Sequence, residues 1–418
     1  MTTDDNNALK HPIPSQPEVN IGTIGHVDHG KTTIVEGITG IWTSAHSEEL
    51  RRGITIKVGY ADAAFYKCGK CSSPENYSTN PKCPKCGKAT KLLRVVSFVD
   101  TPGHESLMAI MLSGAAVMNG AILIIAADEE VPQPQTKEHL LSLQMLGMNH
   151  IVIAQNKLDL VNDKEAAQNY QSIKKFVKGT IAENAPIIPV SGHHKLNIDA
   201  LICAVEQYIP TPERLSKKTP LMQTLRSFDV NRPGMPISEL KGGVIGGTLT
   251  QGEFNVGDTI VLKPGLQDEK TKKYKPITTK ITSLGTSSGL VNNVKTGGLV
   301  AICTTLDPSI TKGDSLLGTV VGINDNLPPV HDLIKIKTQL LDMAVGSQEM
   351  IKVEKIKPGE VLRLNVGTAV TLGPVESIKE DVITVKLKRP ICAEIDSRVA
   401  VTRRIGERWR LIGSGTIL

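Results

Sequence analysis

Residues Gly25–Thr32 read GHVDHGKT, and this stretch decides the fold that the sequence predicts. It has the form G-x-x-x-x-G-K-T, with an apolar run at Val19–Ile24 before it and a helix-forming segment at Thr33–Ile38 after it. A strand, a glycine-rich loop and a helix in this order cradle phosphate groups, because backbone N–H groups approach the oxygens and the helix start adds a positive dipole end. We expect Lys31 to reach the β- and γ-phosphates and the Thr32 hydroxyl to bind Mg²⁺.

Length and composition are typical of a globular protein with two or three domains. The chain has 418 residues, of which 40% are hydrophobic and 22% charged. No apolar run approaches about 18 residues, so we expect no membrane span. Residues 1–17 are polar and have no apolar signal core, which predicts a flexible N-terminal tail and a cytoplasmic protein. The net charge of +6 permits a polyanionic partner without requiring one.

Apolar runs alternate with helix-length segments between residues 18 and 210. This alternation predicts an α/β domain with a mostly parallel sheet that helices cover on both faces. The predicted strands are Val19–Ile24, Val95–Val99, Ala121–Ala127, His150–Ala154 and Ile187–Val190. The predicted helices are Thr33–Ile38, Glu105–Met118, Gln135–Leu146, Glu165–Glu183 and Asn197–Tyr208.

Polar signatures follow these strands at their carboxyl ends, where ligands bind in such folds. In DTPGH, Asp100–His104, the Asp100 carboxylate can hold the Mg²⁺ shell and Gly103 can offer its N–H to the γ-phosphate. Earlier in the chain, the stretch RRGITI, Arg51–Ile56, contains Thr55. A threonine on a mobile loop can complete the Mg²⁺ coordination while the γ-phosphate is present and release the ion afterwards. A threonine without such neighbours is more often an ordinary surface or strand residue.

Two further signatures fit a guanine base. In NKLD, the Asp159 carboxylate can accept hydrogen bonds from N1–H and from the 2-amino group of guanine, a pair that adenine does not offer. Asn156 and Lys157 would brace that loop and cover the base. In SGH, Ser191–His193, backbone N–H groups can meet the guanine O6 atom. The ordered set of signatures favours a guanine-nucleotide site over unrelated polar loops.

Four cysteines form the pattern C-x2-C-x11-C-x2-C within residues 66–90. Two close pairs on short turns can bring four thiolates into tetrahedral contact with Zn²⁺, which predicts a structural zinc knuckle. Two redox pairs, or a site that has lost its metal, are the alternatives. The ligands would be Cys68, Cys71, Cys83 and Cys86, whereas Cys203, Cys303 and Cys392 are isolated and expected in the core.

The knuckle is rich in lysine and has the single acid Glu75. Its basic surface could face RNA or an acidic protein, and improved solubility explains it equally well.

After the stiff linker Pro210–Pro212, short β-rich runs punctuated by glycine replace the helical patterns. They predict two antiparallel β-barrel domains, at residues 211–327 and 328–418. A basic and aromatic cluster near the C-terminus could touch the RNA backbone, and a barrel strand with solvated arginines explains it at least as well. Its members are Arg403, Arg404, Arg408, Trp409 and Arg410.

Taken together, these motifs resemble those of the translational GTPases. More specifically, the chain resembles the gamma subunits of archaeal and eukaryotic translation initiation factor two, on stretches that cover nearly its whole length. Besides the motifs above and the cysteine knuckle, these are IWTS at Ile41–Ser44, PQPQT at Pro132–Thr136, RSFDVN at Arg226–Asn231 and the glycine-rich Gly242–Gly247.

The resemblance implies a heterotrimer with alpha and beta subunits, in which this subunit holds GTP or GDP with Mg²⁺. In the GTP state it would bind methionylated initiator tRNA, deliver it to the small ribosomal subunit and leave after hydrolysis. It also implies that His104 positions the attacking water behind an apolar gate of Val27 and Ile54. No arginine finger is evident in the chain's own motifs, so we expect intrinsic hydrolysis to be slow, as in a switch.

The resemblance also assigns the ligands residue by residue. The family commonly has alanine at the position of Gly192; a backbone donor survives this change, and we expect guanine binding to persist with a looser loop. The implied magnesium residues are Thr32, Thr55, Asp28, Gly53 through its carbonyl, and Asp100. The implied nucleotide-binding residues are Asp28, His29, Gly30, Lys31, Thr32, Thr33, Gly103, Asn156, Lys157, Asp159, Ser191, Gly192 and His193.

Two other functions fit parts of the sequence. An elongation-type factor that delivers other aminoacyl-tRNAs shares the fold and the GTP chemistry, but the knuckle and the tryptophan-bearing first switch argue against it. An RNA-binding scaffold with degenerate nucleotide motifs is disfavoured because Lys31, Thr32, Asp100 and the NKLD residues are all intact.

Overall fold

The computed structural model describes residues 13–43, 57–104, 107–324, 326–344 and 351–418. Contacts divide the chain into two compact units, one of residues 1–111 and 118–212 and the other of residues 112–117 and 213–418. Within the described residues, no helix is long and apolar enough to cross a membrane.

Within these residues, the first unit is built on a seven-stranded sheet. Its strands are β1 (Val19–Ile24), β2 (Gly59–Lys67), β3 (Tyr77–Ser78), β4 (Lys91–Asp100), β5 (Gly120–Ala126), β6 (Ile151–Asn156) and β7 (Ile187–Pro189). Their order is β3-β2-β4-β1-β5-β6-β7, with parallel pairing from β4 to β7 and antiparallel pairing of β2 and β3. The five predicted strands are present. The sequence did not predict β2, because its alanine-rich stretch has low β-propensity and gains stability from pairing with β4.

Helices of this unit cover the sheet as the alternation predicts, with shifted ends. They are α1 (Lys31–Thr39), α2 (Met108–Ala115), α3 (Pro134–Leu146), α4 (Asp163–Val177) and α5 (Ile198–Tyr208). The α4 helix starts earlier than predicted because the Asn162 side chain and Glu165 form a capping box. It ends at Val177, before Gly179 adopts a positive φ of 75°. The predicted start of α2 at Glu105 lies outside the described residues.

A buried arginine on β4 ties the sheet to the end of α5. The Arg94 Nε atom donates to the Glu206 carboxylate at 2.6 Å, with both side chains largely buried. Its Nη2 donates to the carbonyl oxygens of Val205 and Ile209 at 3.3 and 2.8 Å, and its Nη1 donates to the Thr211 hydroxyl at 3.0 Å. The guanidinium therefore adds a second donor to the Val205 carbonyl, pairs with the Ile209 carbonyl at the helix C-cap and anchors the start of the linker.

In the second unit, most strands of the first group close into a barrel. The group consists of β8 (Leu221–Phe228), β9 (Val244–Gln251), β10 (Phe254–Asn255), β11 (Thr259–Gln267), β12 (Tyr274–Thr286), β13 (Gly289–Val291), β14 (Asn293–Val294), β15 (Val300–Thr304) and β16 (Val320–Ile323). The sheet order β11-β16-β8-β9-β15-β12 closes through β11–β12 pairing, with β13 beside β12, while β10 and β14 pair in a separate two-stranded sheet. The short helix α6 (Pro308–Thr311) follows β15.

A second closed barrel follows, with the order β17-β20-β19-β18-β21-β22. Its strands are β17 (Val330–Leu340), β18 (Val361–Val366), β19 (Ala369–Lys379), β20 (Val382–Cys392), β21 (Arg398–Ile405) and β22 (Arg408–Ile417). The fold prediction, an α/β domain followed by two antiparallel barrels, is thus confirmed. Burial alternates along β20, because one face of the strand packs into the barrel. This alternation produces the period-two pattern from which the sequence predicts strands here.

Contacts within this barrel engage two members of the C-terminal basic cluster. Arg403 pairs with Glu360 and donates to the Glu354 carbonyl at 2.8 Å. The Arg363 guanidinium lies 5.0 Å from the centre of the Trp409 ring. Of the isolated cysteines, Cys203 and Cys392 are buried and Cys303 is half-buried.

We predict that Arg94→Met lowers the free energy of unfolding of the first unit by about 3–5 kcal/mol, because it leaves the Glu206 carboxylate buried without its partner. Urea denaturation of the full chain measures this loss. Arg94→Lys keeps the charge but not the fork of donors, so its loss should be smaller. Equal losses for the two variants would contradict the role of the buried charge.

Candidate functional site

The loop between β1 and α1 has a backbone that requires glycine at two points. Gly25 has a φ of +143°, and a Cβ atom there would lie 2.3 Å from the Ile124 carbonyl oxygen. Gly30 has a φ of +86°, and a Cβ atom would lie 2.4 Å from the Asn156 Nδ2 atom. Asp28, exposed between them, also has a positive φ of 62°. The loop is therefore held against β5 and the end of β6 without room for larger residues.

Lys31 is the first residue of α1, and its side chain lies across this loop. The buried ammonium donates to the carbonyl oxygens of Gly25 and His26 at 3.2 and 2.5 Å. Burial lowers the pKa of Lys31 to about 8, and the nearby Asp100 carboxylate partly opposes this shift. A Cβ atom at Gly103 would lie only 2.4 Å from Nζ, so glycine keeps space beside the ammonium. A phosphate oxygen fits the charge and the space of this cradle.

The end of β4 brings together an all-oxygen cluster around the fully buried Asp100. Its Oδ2 accepts hydrogen bonds from the hydroxyls of Thr32 at 2.7 Å and Thr43 at 2.6 Å. Its Oδ1 accepts one from the Thr23 hydroxyl at 2.8 Å. Carboxylate and hydroxyl oxygens are the hard ligands that Mg²⁺ prefers, so the donor set fits this ion. The sequence reasoning missed Thr43, although it lies in the quoted IWTS motif.

Asn156, the last residue of β6, joins the phosphate loop to the loop after β7. Its Nδ2 donates to the His29 carbonyl at 2.9 Å, and its Oδ1 accepts from the Gly192 N–H at 2.9 Å. The Gly192 donor, which the sequence analysis assigned to the base, therefore braces the loop in this structure. A Cβ atom at this position would lie 3.0 Å from the Ile34 Cδ1 atom, a tight contact that glycine avoids.

Asp159 is held as a carboxylate by the loop after β7. The Ser191 hydroxyl donates to its Oδ1 at 2.5 Å, and this hydrogen bond is the main reason that the pKa of Asp159 is lowered. The His194 Nε2 atom lies 3.8 Å from Oδ2. An ionised carboxylate accepts hydrogen bonds and cannot donate them, which is what two adjacent donors of guanine require.

An acidic pair that the sequence reasoning missed lies beside Lys157. The Lys157 Nζ atom is 3.3 Å from the Asp128 Oδ2 atom and 3.6 Å from the Glu129 Oε1 atom. The other carboxylate oxygen of Glu129 lies 3.3 Å from the Nε2 atom of buried His29. Glu129 thus connects the phosphate loop with the NKLD loop. Both acids follow the carboxyl end of β5, so the strand-end rule already applied to Asp100 could have found them.

Two imidazoles lie beneath the phosphate loop. The His29 Nδ1 atom lies 3.0 Å from the Ile124 carbonyl oxygen, so its side chain faces the core, and burial lowers its pKa to about 4. His139 on α3 accepts a hydrogen bond from the Gly25 N–H at 3.1 Å, and burial lowers its pKa to about 3. The His139 ring is therefore neutral, and its unprotonated Nδ1 atom accepts the hydrogen bond that holds Gly25. No sequence signal identified His139, because its partner is 114 residues away.

For the other predicted site residues, the structure shows their exposure and their position in the chain. His104 is exposed directly after Gly103, and Val27 is half-buried next to that segment. Thr33 lies in α1, and His193 is exposed after Gly192. The predicted residues Gly53, Ile54 and Thr55 lie outside the described residues.

The four cysteine sulfurs converge, each within 4.8 Å of the others. Cys68 and Cys86 sulfurs are 3.6 Å apart, and those of Cys71 and Cys83 are 3.7 Å apart. A tetrahedral Zn²⁺ site with bonds of about 2.3 Å separates its sulfurs by about 3.8 Å, so the cluster fits that ion. Backbone N–H groups of Lys70 and Cys71 lower the pKa of Cys68 to about 6, whereas the hydrogen bond with Cys86 raises the pKa of Cys71 to about 12. All four cysteines are free of disulfides.

Comparison with known families agrees with this geometry. Residues 16–211 match the family model "Elongation factor Tu GTP binding domain", and residues 332–417 match "Initiation factor eIF2 gamma, C terminal". Among solved structures, a bacterial selenocysteine-specific elongation factor, EF-Sec, superposes with a TM-score of 0.72 over 96% of this chain and 58% of that one. Elongation factor SelB from Methanococcus maripaludis superposes with a TM-score of 0.69 over 97% of this chain and 80% of that one. Both are 22% identical in sequence, so they show the fold alone.

Curated relatives decide between the initiation and elongation alternatives. The translation initiation factor 2 subunit gamma of Methanocaldococcus jannaschii is 56% identical over 96% of this chain and 98% of its own length. That of Archaeoglobus fulgidus is 56% identical over 96% and 94%, and that of Pyrococcus horikoshii is 54% identical over 96% and 98%. With such identity over nearly its full length, the chain belongs to the translation initiation factor 2 gamma subunits and is a GTP-dependent initiation factor subunit with GTPase activity.

Proposed function

We propose that this cytoplasmic subunit, in a heterotrimer with alpha and beta subunits, binds methionylated initiator tRNA in its GTP state. It delivers this tRNA to the small ribosomal subunit and is released after GTP hydrolysis. The observation that carries the proposal is the cluster around Asp100, which joins the phosphate loop at Thr32 to Thr43, ahead of the Arg51–Ile56 segment that the sequence predicts as a mobile loop. A γ-phosphate bound there would change the contacts of that segment, and its release would reverse the change, as a switch requires.

The proposed nucleotide contacts use residues that lie around the phosphate cradle and the NKLD loop. Lys31 binds the β- and γ-phosphates, Gly103 donates its N–H to the γ-phosphate, and Asp159 reads the guanine edge. Mg²⁺, when bound, neutralises developing charge on the phosphate oxygens, and Thr32 with the Asp100 carboxylate would hold it. Support comes from the buried ammonium, the space at Gly103 and the ionised carboxylate.

Hydrolysis depends on positioning a water molecule. His104, exposed directly after Gly103, is the residue proposed to orient it, with Val27 and Ile54 as the apolar gate. Thr55 would help to hold Mg²⁺ in the GTP state, and Asp28 with the Gly53 carbonyl would hold a second magnesium ion. The catalytic step remains slow without the ribosome or another factor, because no arginine finger is evident in the chain's own motifs.

The cysteine cluster serves as a structural zinc site. All four coordination positions come from the protein, and the metal would stabilise a segment that has little apolar core of its own. The proposed division of the chain is a tail at 1–17, the GTP-binding domain at 18–210 with its knuckle at 66–90, and barrels at 211–327 and 328–418.

Filter binding of methionylated initiator tRNA tests the proposed function. With alpha and beta subunits present, we expect the GTP-loaded protein to bind this tRNA at least about tenfold more tightly than the GDP-loaded protein, a coupling of roughly 1.4 kcal/mol or more. Elongator methionyl-tRNA serves as the control and should bind more weakly. Equal affinity in the two nucleotide states would refute the switch.

Asp159→Asn should shift the nucleotide preference from guanine toward xanthine, because the amide presents an N–H group to the position that carries the 2-amino group of guanine. Affinity for GTP should fall about tenfold or more. Competition between GTP and XTP for a fluorescent guanine nucleotide measures both effects. Asp163→Asn makes the same chemical change at the exposed start of α4 and should leave both affinities unchanged.

Elemental analysis of the purified protein should find one zinc ion per chain. The double variant Cys83→Ser/Cys86→Ser should lose it, because two ligands cannot retain the ion in a tetrahedral site. Cys303→Ser changes a half-buried cysteine outside the cluster and should keep the zinc. Zinc-free wild-type protein, or full zinc content in the double variant, would contradict the site.

A further inference from the structure

The cysteine knuckle and the start of β4 carry much of the net positive charge of the chain. Between Tyr66 and Leu93 there are six lysines and one acid, Glu75, a net charge of +5, whereas Arg94 is buried in its pair with Glu206. The complete chain has a net charge of +6. Four zinc-bound thiolates would lower the charge of this stretch by two, and it would remain positive. Such a concentration of positive charge points to a polyanionic surface.

Most of this charge is presented to solvent. Lys70, Lys82, Lys88 and Lys91 are exposed. Two other lysines are engaged inside the knuckle, since Lys85 pairs with Glu75 and the Lys67 ammonium lies 4.8 Å from the centre of the Tyr77 ring. The exposed four therefore form the lysine face of the knuckle.

The lysine face lies on fixed turns. Lys70 sits between Cys68 and Cys71, while Lys82 and Lys88 flank the second cysteine pair. The Cys83 N–H donates to the Lys88 carbonyl at 2.8 Å, and the backbones of Lys82 and Ala89 pair as an isolated antiparallel β-bridge. Charges on such turns are preorganised, so less conformational entropy is lost when they bind phosphates.

The chemistry of the knuckle favours backbone contact over base recognition. Its two tyrosines are unavailable for stacking on splayed bases, since Tyr66 is half-buried and Tyr77 is buried in the core of the first unit. Single-stranded RNA is usually read by exposed aromatic side chains, which this face lacks. Lysines alone read phosphates, as in recognition of duplex RNA by its shape and backbone.

The lysine face also lies away from the phosphate cradle. Strand β4 starts at Lys91, on the knuckle side, and ends at Asp100, in the oxygen cluster. Ten extended residues span about 30 Å, so the Lys91 end of β4, which belongs to the lysine face, lies about that far along the strand from the phosphate cradle at Asp100. A ligand whose binding depends on the γ-phosphate is therefore not the natural partner of this face.

We propose that the lysine face of the knuckle binds the phosphate backbone of duplex ribosomal RNA on the small ribosomal subunit, without base specificity. This inference rests on the proposed function, because delivery brings the subunit to that RNA surface. The contact adds affinity for the ribosome in either nucleotide state and leaves tRNA selection to the switch segments.

The test measures binding of the heterotrimer, loaded with initiator tRNA and a non-hydrolysable GTP analogue, to small ribosomal subunits. Affinity is determined between about 50 and 200 mM KCl. We expect the triple variant Lys70→Gln/Lys82→Gln/Lys88→Gln to bind about tenfold or more weakly at the low-salt end. Its slope of log K against log[KCl] should be shallower by about 2, since each lost phosphate contact removes about 0.7–0.9.

A matched control removes three charges from an exposed hairpin between β11 and β12. Lys270→Gln/Lys272→Gln/Lys273→Gln changes the net charge equally and should preserve the slope. The Lys→Arg triple variant of the knuckle keeps the charges and should also preserve it. Thermal unfolding and zinc content of each variant verify that the knuckle stays folded.

The outcomes separate this inference from the proposed function. An unchanged slope in the knuckle variant would overturn the inference, as would a loss confined to assembly with the alpha or beta subunit, which would identify an acidic protein partner. A loss of affinity for free initiator tRNA would overturn it as well. Failure of the wild-type protein to distinguish GTP from GDP in tRNA binding would instead refute the proposed function.

Discussion

The side-chain amide of Asn156 is the contact on which the nucleotide site depends. It donates to the phosphate loop at His29 and accepts from the loop after β7 at Gly192, so one planar group sets the spacing between the two ends of the site. Gly30 packs against its nitrogen without room for a Cβ atom. Because each of its two hydrogen bonds is buried, a displacement of either loop would leave a buried polar atom unpaired.

Several buried polar groups at this end of the sheet have partners of suitable chemistry. The Asp100 carboxylate accepts from three threonine hydroxyls, and the Lys31 ammonium donates to two backbone carbonyls. Neutral His139 supports the loop by accepting from Gly25. These hydrogen bonds make the phosphate loop rigid before any phosphate arrives. Rigidity of this kind supports tight binding, because little entropy remains to be lost.

The opposite end of the same sheet has a different character. There β2 and β4 extend into the knuckle, where cysteine sulfurs and backbone turns take the place of an apolar core. The lysines on these turns remain in solvent, so the charge of the chain is concentrated at one end of the sheet and the nucleotide chemistry at the other. Strand β4 physically connects them through Arg94, which also anchors α5 and the linker.

The sequence by itself determined the parts that depend on local chemistry. Glycines at Gly25 and Gly30, the cysteine pairs and the carboxylate at Asp159 were legible, because backbone conformation, metal coordination and base recognition each demand particular residue types at short spacing. The alternation of strands and helices, and the change to barrel strands after Pro212, could also be predicted, because each type of element has its own spacing of apolar residues.

Only the tertiary structure decided the pairing of β2 with β4, the hydrogen bond from Thr43 to Asp100, the contacts of Glu129 with Lys157 and His29, and the support from His139. These contacts join residues from 24 to 114 positions apart, as with Lys67 to Lys91 and Gly25 to His139. Such distant residues carry no mutual signal in the chain, because only packing brings them together.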